Sequence, residues 1–255
     1  MLRIFEKKLI EEFKDRKSFS RDELFDFFRG FEPNLKEGTF GCRIYTLKQN
    51  NIIKPLKRGV YAISYKSTYE PTISPELDKL SKKISNRYED IKYCLWSTDW
   101  LNTFSQHQSN TRILIFDVEK DFVESVYYYL KDNFNYDIFL NPDANAINYY
   151  ISESKSPVVV KRLITRSPVE EITIRKDKIF VPMLEKILVD VFADSKLFYF
   201  YQGSELRHIF ENAVKYYAIN FTSLFSYARR RGKEKEIKSY MMNNLSDLLK
   251  EIIND

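Results

Sequence analysis

Apolar residues recur at helical spacing from the start of the chain. Leu2, Phe5, Leu9 and Phe13 share one face of a 3.6-residue period, which predicts an amphipathic helix over residues 2–16. Ser20 followed by Glu23 forms a capping box, opening a second helix with Leu24, Phe27 and Phe28 on its apolar side. Gly30 and Pro33 interrupt the pattern. A third helix is expected from about Lys36 to Gln49, with Phe40, Ile44 and Leu47 facing inward. The period then shortens: Ile53–Leu56 and Val60–Ile63 read as two strands joined by Lys57-Arg58-Gly59. Gly59 suits this place because a tight hairpin turn needs a residue tolerant of positive φ. Three helices followed by a hairpin is the element order of a winged helix-turn-helix, assigned here to residues 1–66.

The stretch from Ser64 to Ser74 lacks apolar periodicity and reads as a linker, with a domain boundary near residue 70. Ser74 as N-cap and Pro75 at the first helical position then open a second domain, residues 75–255. It mixes strands and helices. "ILIFDV" (113–118) runs into a helix carrying Val123, Val126, Tyr127 and Leu130. Further strands are expected at 136–140, 148–152, 158–163 and 171–175. From Pro182 the pattern turns helical, with Leu184, Ile187, Leu188 and Val191 on one stripe and further helices near 203–218, 220–231 and 234–253. The expected fold is α+β: an N-terminal winged helix-turn-helix, then a mixed α/β domain with a helical C-terminus.

Composition narrows the function. At 44% apolar and 16% aromatic the chain supports a packed core. The net charge of +5 is a weak nucleic-acid signal by itself, so the placement of the charge matters more than its total. Cys42 and Cys94, with His107 and His208, have no zinc-site spacing, and the cysteines are read as buried thiols of a reducing cytoplasm. No stretch approaches the ~20 apolar residues of a membrane span, and "MLRIFEKKLIEEF" is no signal peptide. A soluble cytoplasmic protein without cofactor or metal is expected.

The third helix carries the first informative constellation. Thr39 and Arg43 are placed on its outer face near Lys36, where a hydroxyl and a base can reach base edges and phosphates of duplex DNA. Lys57 and Arg58 at the hairpin tip would touch the backbone beside them. A second basic cluster, Arg229, Arg230, Arg231 and Lys233, is either a solvated helix junction or a second patch for phosphates or an acidic partner. Asp117, Glu119, Lys120 and Asp121 sit where a strand hands over to a helix. There they are read as N-caps and dipole partners rather than as a metal-dependent nuclease cluster. Glu185 and Asp190, five apart, are read as surface or interdomain ion-pair partners. His107 lies near Ser105 and Ser109, but proximity in sequence builds no triad. Phosphate-cradle and nucleophile-elbow motifs are missing from the sequence.

With these residues in view, the chain resembles the AbiEi-type antitoxins, winged-helix repressors of bacterial abortive-infection toxin–antitoxin pairs. The matching stretches are "IYTLKQNNIIKPLKRGVYAI", with Gly59 and Tyr61 at the wing, and "VPMLEKILVDVFAD", where Pro182, Glu185 and Asp190 resemble a family pattern. Two places depart from it: "STDWLNTFSQH" (97–107) is bulkier than the family's small-residue stretch, and Asn50-Asn51 stands where many winged helices have a glycine. The resemblance implies a non-enzymatic, DNA-binding repressor of its own operon. It also implies a nucleotidyltransferase-like toxin as counterpart, countered through the C-terminal domain without a stable complex. The alternatives are a nuclease-like or other defence effector, in which the winged helix recruits and the α+β body cuts, and an interaction module with no nucleic-acid partner.

Overall fold

The computed structural model describes residues 2–16, 18–49, 52–64, 68–109, 111–174 and 177–246, with the side chains of residues 2–4, 49 and 57 outside that description. The chain divides into two compact units, the first built mainly of Met1–Thr68 and the second of Tyr69–Val214 and Ile219–Leu245.

The first unit begins with α1 (Leu2–Phe13), which stops three residues short of the periodicity's reach. A two-residue strand that the hydrophobic pattern does not announce, β1 (Phe19–Ser20), leads into α2 (Arg21–Arg29). The expected capping box is present. Ser20 Oγ accepts from Glu23 N at 3.1 Å, and Glu23 Oε2 accepts from Ser20 N at 2.7 Å. Two orphan amides of the helix start are thereby satisfied. The third helix, α3 (Glu37–Gln49), is followed by β2 (Ile53–Lys57) and β3 (Val60–Ile63), which pair antiparallel with a bulge at Leu56. β1 adds to the other edge of β3, giving the order β1-β3-β2 with Phe19 opposite Tyr61. Gly59 adopts φ +76° at the turn, and its carbonyl accepts from Arg21 N at 2.7 Å, fixing the hairpin tip to the start of α2. Leu9, Phe13, Phe19, Leu24, Phe25, Phe28, Phe40, Ile44, Leu47 and Tyr61 form one core, in which Phe25 stacks on Phe40 at 4.5 Å. Asn50 and Asn51 lie outside the described residues.

The second unit opens with α4 (Pro75–Arg87), capped by Ser74, whose side chain accepts from Leu77 N. A strand missed by the sequence reading, β4 (Tyr93–Ser97), follows; it is buried at every position and so shows no alternation. It pairs antiparallel with β5 (Leu114–Val118). After α5 (Val123–Asn133) come β6 (Asp137–Leu140) and, later, β7 (Pro157–Arg162), parallel to both β5 and β6. The sheet order is β4-β5-β7-β6. The strand expected at 148–152 is absent. Asp143 caps the single turn α6 (Ala144–Ala146), and the chain continues as a π-helical turn, Ile147–Ile151. Ile147 and Ile151 are buried while Tyr149 and Tyr150 are exposed, an i,i+4 pattern that a short aromatic run disguises as β. β8 (Val169–Ile174) and β9 (Asp177–Pro182) form a separate hairpin; Arg175 lies outside the described residues.

The helical end comprises α7 (Leu184–Ala193), α8 (Ser204–Tyr216), α9 (Phe221–Arg230) and α10 (Glu234–Asn244). Helix α7 is buried at every position from Leu184 to Val191, its three charged residues included. The molecule is a mixed α+β protein with several small sheets.

Candidate functional site

Two charged regions compete for the role of site, one on each unit. On the first, α3 buries Phe40, Ile44 and Leu47 as its spacing requires, and it exposes Gly38, Thr39, Gly41, Cys42 and Tyr45. Tyr45 is 65% exposed, and Cys42 is exposed rather than buried. Lys36, Thr39 and Arg58 are exposed as the sequence suggests; Lys57 ends β2, and its side chain is outside the description.

Arg43 is a correction. It does not project from the outer face. Its Nη2 donates to both carboxylate oxygens of Glu32 at 2.7 Å, and its guanidinium lies 5.2 Å from the Phe28 ring centre. A turn of 100° per residue explains this, because position 43 falls on the flank between the buried stripe and the outward line of Gly38, Cys42 and Tyr45. Arg43 therefore braces α3 against the preceding loop.

Charge is segregated along the chain. Residues 1–68 hold 15 Lys and Arg against 9 Asp and Glu, whereas the rest hold 26 against 27. Within residues 36–63 there are six cations and one carboxylate, Glu37. Glu37 is already taken, since Arg21 donates to it at 2.6 and 3.3 Å and holds its carboxyl below the usual range. The excess positive charge of the protein thus resides on the first unit, and most of it on α3 and the hairpin.

The second region is the interior of the other unit. Lys186 of α7 is 1% exposed and places Nζ 2.6 Å from Asp117 Oδ2 and 2.5 Å from Asp190 Oδ2. Tyr227 donates to Asp190 at 2.8 Å, and Arg231 Nε lies 3.6 Å from the same carboxylate. Lys161 stands 3.9 Å from Asp117 and 3.7 Å from Asp194. Three cations face three carboxylates, so the cluster is close to neutral. Burial by itself would lower the Lys186 pKa, but Asp117 and Asp190 outweigh it and hold the ammonium well above its ordinary value. Burial pushes the nearby Cys94 thiol up, making it a poor nucleophile.

These distances overturn two expectations. Asp117 is no helix cap; it sits inside β5 and binds Lys186 across the fold. Glu185 and Asp190 are buried rather than at the surface. Their spacing of five turns them to different sides of α7, where each holds one end of α9. Glu185 accepts from Asn220 N at 2.6 Å, the residue that caps α9, while Asp190 takes Tyr227 and Arg231. Glu119 accepts from Lys92 N at 2.9 Å and makes no side-chain cap. Asp117 and Asp190 converge on the Lys186 ammonium, and Glu119 is not among the carboxylates around it. Among the described residues no group of three His, Cys, Asp or Glu is arranged to hold a metal ion.

The second basic cluster is dispersed. Arg229 is bound by Glu234 at 2.5 and 2.9 Å, Lys233 by Glu236 at 2.6 Å, and Arg231 turns inward. Arg230 alone of the four is exposed with no ion pair to a described residue. His107 is 73% exposed, and its Nδ1 meets the buried Glu205 at 2.5 Å, while the amides of Gln106 and His107 bond the other Glu205 oxygen. Neither Ser105 nor Ser109 bonds His107; Ser109 Oγ donates to the Thr111 carbonyl. The cluster around Glu205 ties a loop to the first turn of α8 and assembles no triad. A cleft of about 1020 Å³ on the second unit is lined by Lys82, Ile91, Tyr93, Arg166, Lys178 and Phe180 among others. Two of its cations are neutralised locally, Lys82 by Asp78 and Asp177, and Lys178 by Glu171.

Among the described residues no helix is long and apolar enough to cross a membrane. Residues 39–247 match the model of a family of unknown function, DUF6577, and the chain belongs to that family. No curated protein matches the chain. The matched segment starts inside α3, so it takes in the hairpin and nearly all of the second unit, and leaves α1, β1 and α2 outside.

Proposed function

We propose that the protein is a duplex-DNA-binding transcriptional repressor whose first unit is a winged helix-turn-helix, with no catalytic role of its own. The observation that carries this is the charge segregation: six cations, of which Arg43 is held by Glu32, against one already-paired carboxylate between residues 36 and 63, in a chain whose remaining sequence is balanced. Phosphate attraction supplies most of a DNA-binder's sequence-independent affinity, and it needs a concentrated positive surface rather than a high total charge. The element order α1-β1-α2-α3-β2-β3 supports the same reading, because three helices followed by a β-hairpin is the order a winged helix-turn-helix requires. In this reading Lys36, Thr39, Lys57 and Arg58 contact the duplex, and Arg43 holds α3 in place.

From the resemblance we carry the rest of the role: autoregulation of an operon, and a second unit that counters a nucleotidyltransferase-like toxin without a stable complex. The buried Asp117–Lys186–Asp190 set is then a structural clamp, not a cleavage site. Selection of genomic fragments by the purified full chain tests the DNA reading. Enrichment of the region upstream of its own gene is the expected result, and recovery of no fragment above background would end it. Co-expression with an adjacent nucleotidyltransferase-like gene tests the antitoxin role: growth should be rescued by the chain, and growth arrest despite its presence counts against that role.

A further inference from the structure

We infer that Tyr45, not Arg43, is the side chain of α3 that reads base edges in the major groove; this rests on the DNA-binding reading above. The outward line of α3 follows the helical repeat through positions 38, 42 and 45. Tyr45 is the large side chain on that line, 65% exposed, in a segment where cations outnumber carboxylates six to one. An aromatic phenol so placed has an apolar face for a thymine methyl and a hydroxyl that can donate to or accept from a base edge. The occupant is fixed by charge: exposed Lys36 before the helix and Arg58 at the hairpin tip suit a polyanion lying along α3.

The neighbours of Tyr45 fit the same occupant. Gly41 lies in the helix interior, where glycine weakens a helix, and a Cβ there would meet nothing within 4 Å. Its φ is not in the left-handed region either. The chain's own packing thus gives no reason for glycine at 41. Close approach of a groove wall does, with Tyr45 one turn further on as the projecting group. Arg43 cannot share this task while both of its bonds to Glu32 persist.

The test uses the full chain, with the duplex that emerges from fragment selection and a scrambled duplex of equal length. Tyr45→Ala should reduce affinity for the selected duplex about ten-fold or more and leave the scrambled duplex nearly unchanged, collapsing the ratio between them. Arg58→Ala should weaken both alike. Gly41→Ala, whose Cβ meets nothing within 4 Å, should keep or raise the parent's melting temperature and lose affinity for both duplexes. If Tyr45→Ala keeps the parent's ratio, or if Arg43→Ala collapses the ratio without loss of stability, the assignment to Tyr45 is wrong while the DNA reading stands. If the parent binds neither duplex, the DNA reading fails and the assignment with it.

Discussion

The protein handles charge in two opposite ways. Around α7, three cations face three carboxylates, with Lys186, Asp117 and Asp190 buried and closed on one another, so the cluster is close to neutral. Along α3 and the hairpin the cations outnumber carboxylates, and the one carboxylate is occupied by Arg21. The first arrangement serves the fold; the second is available to a ligand. A count of charged residues cannot separate them, because Lys186 and Arg231 look like Arg58 until burial and pairing are known. Pairing, not abundance, decides which basic residues are free to act.

The largest effect should come from breaking the buried set. Lys186→Met removes the ammonium that lies between Asp117 and Asp190, leaving only the longer contacts to Lys161 and Arg231, and should destabilise the second unit by about 3 kcal/mol in chemical denaturation. The triple variant with Asp117→Asn and Asp190→Asn should recover most of that loss, since removing both partners of a buried pair costs much less than removing one. A Lys186→Met protein as stable as the parent would mean that α7 is held by its apolar contacts alone.

Acid should probe the same region more gently. Burial alone would raise the Asp190 pKa, but Lys186, Lys161 and Arg231 outweigh it and bring it to about 2. A folded value below the unfolded one stabilises the protein above pH ~4, and that stability is lost as the pH falls toward about 2. The contribution is roughly 2 kcal/mol. Stability measured from pH 5 to 2 should show this loss, and an Asp190→Asn protein should show a flatter profile across the window.

In the exposed region the effects on stability should be smaller. Arg43→Ala removes the Glu32 bond and the contact over Phe28, and should cost about 1–2 kcal/mol, seen as earlier melting of the first unit. Unchanged melting would return Arg43 to the list of free bases. Ser20→Ala should cost about 1 kcal/mol through loss of the cap, and Ser20→Gly only a few tenths. Equal losses in the two variants would show that the Ser20 side chain is not what starts α2.

Much of the fold was legible in the sequence because local physics wrote it there. The capping box at Ser20, the N-cap at Ser74, the inward Phe40, Ile44 and Leu47, and the positive φ of Gly59 each follow from a short-range rule. What escaped was set at long range. β1 is two residues long and exists only because β3 offers it an edge, and β4 is buried throughout and leaves no alternation. Tyr149 and Tyr150 imitated a strand that the i,i+4 burial of Ile147 and Ile151 turns into a helix. The sites divide in the same way. Exposure of Lys36, Thr39 and Arg58 could be read from helical phase and turn position, but the partner of Arg43 is 11 residues away and that of Asp117 is 69. No spacing rule reaches that far.

The most direct check on the division between paired and free charge is the salt dependence of full-length protein binding to duplex DNA. Phosphate contacts from Lys36, Lys57 and Arg58 should make log K fall linearly with log salt concentration with a slope of about −3. Neutralising Arg229 on the second unit should leave that slope nearly unchanged, since Arg229 is held by Glu234. A slope near zero, or one set by the second unit's arginines rather than by Arg58, would contradict the assignment of free charge to α3 and the hairpin.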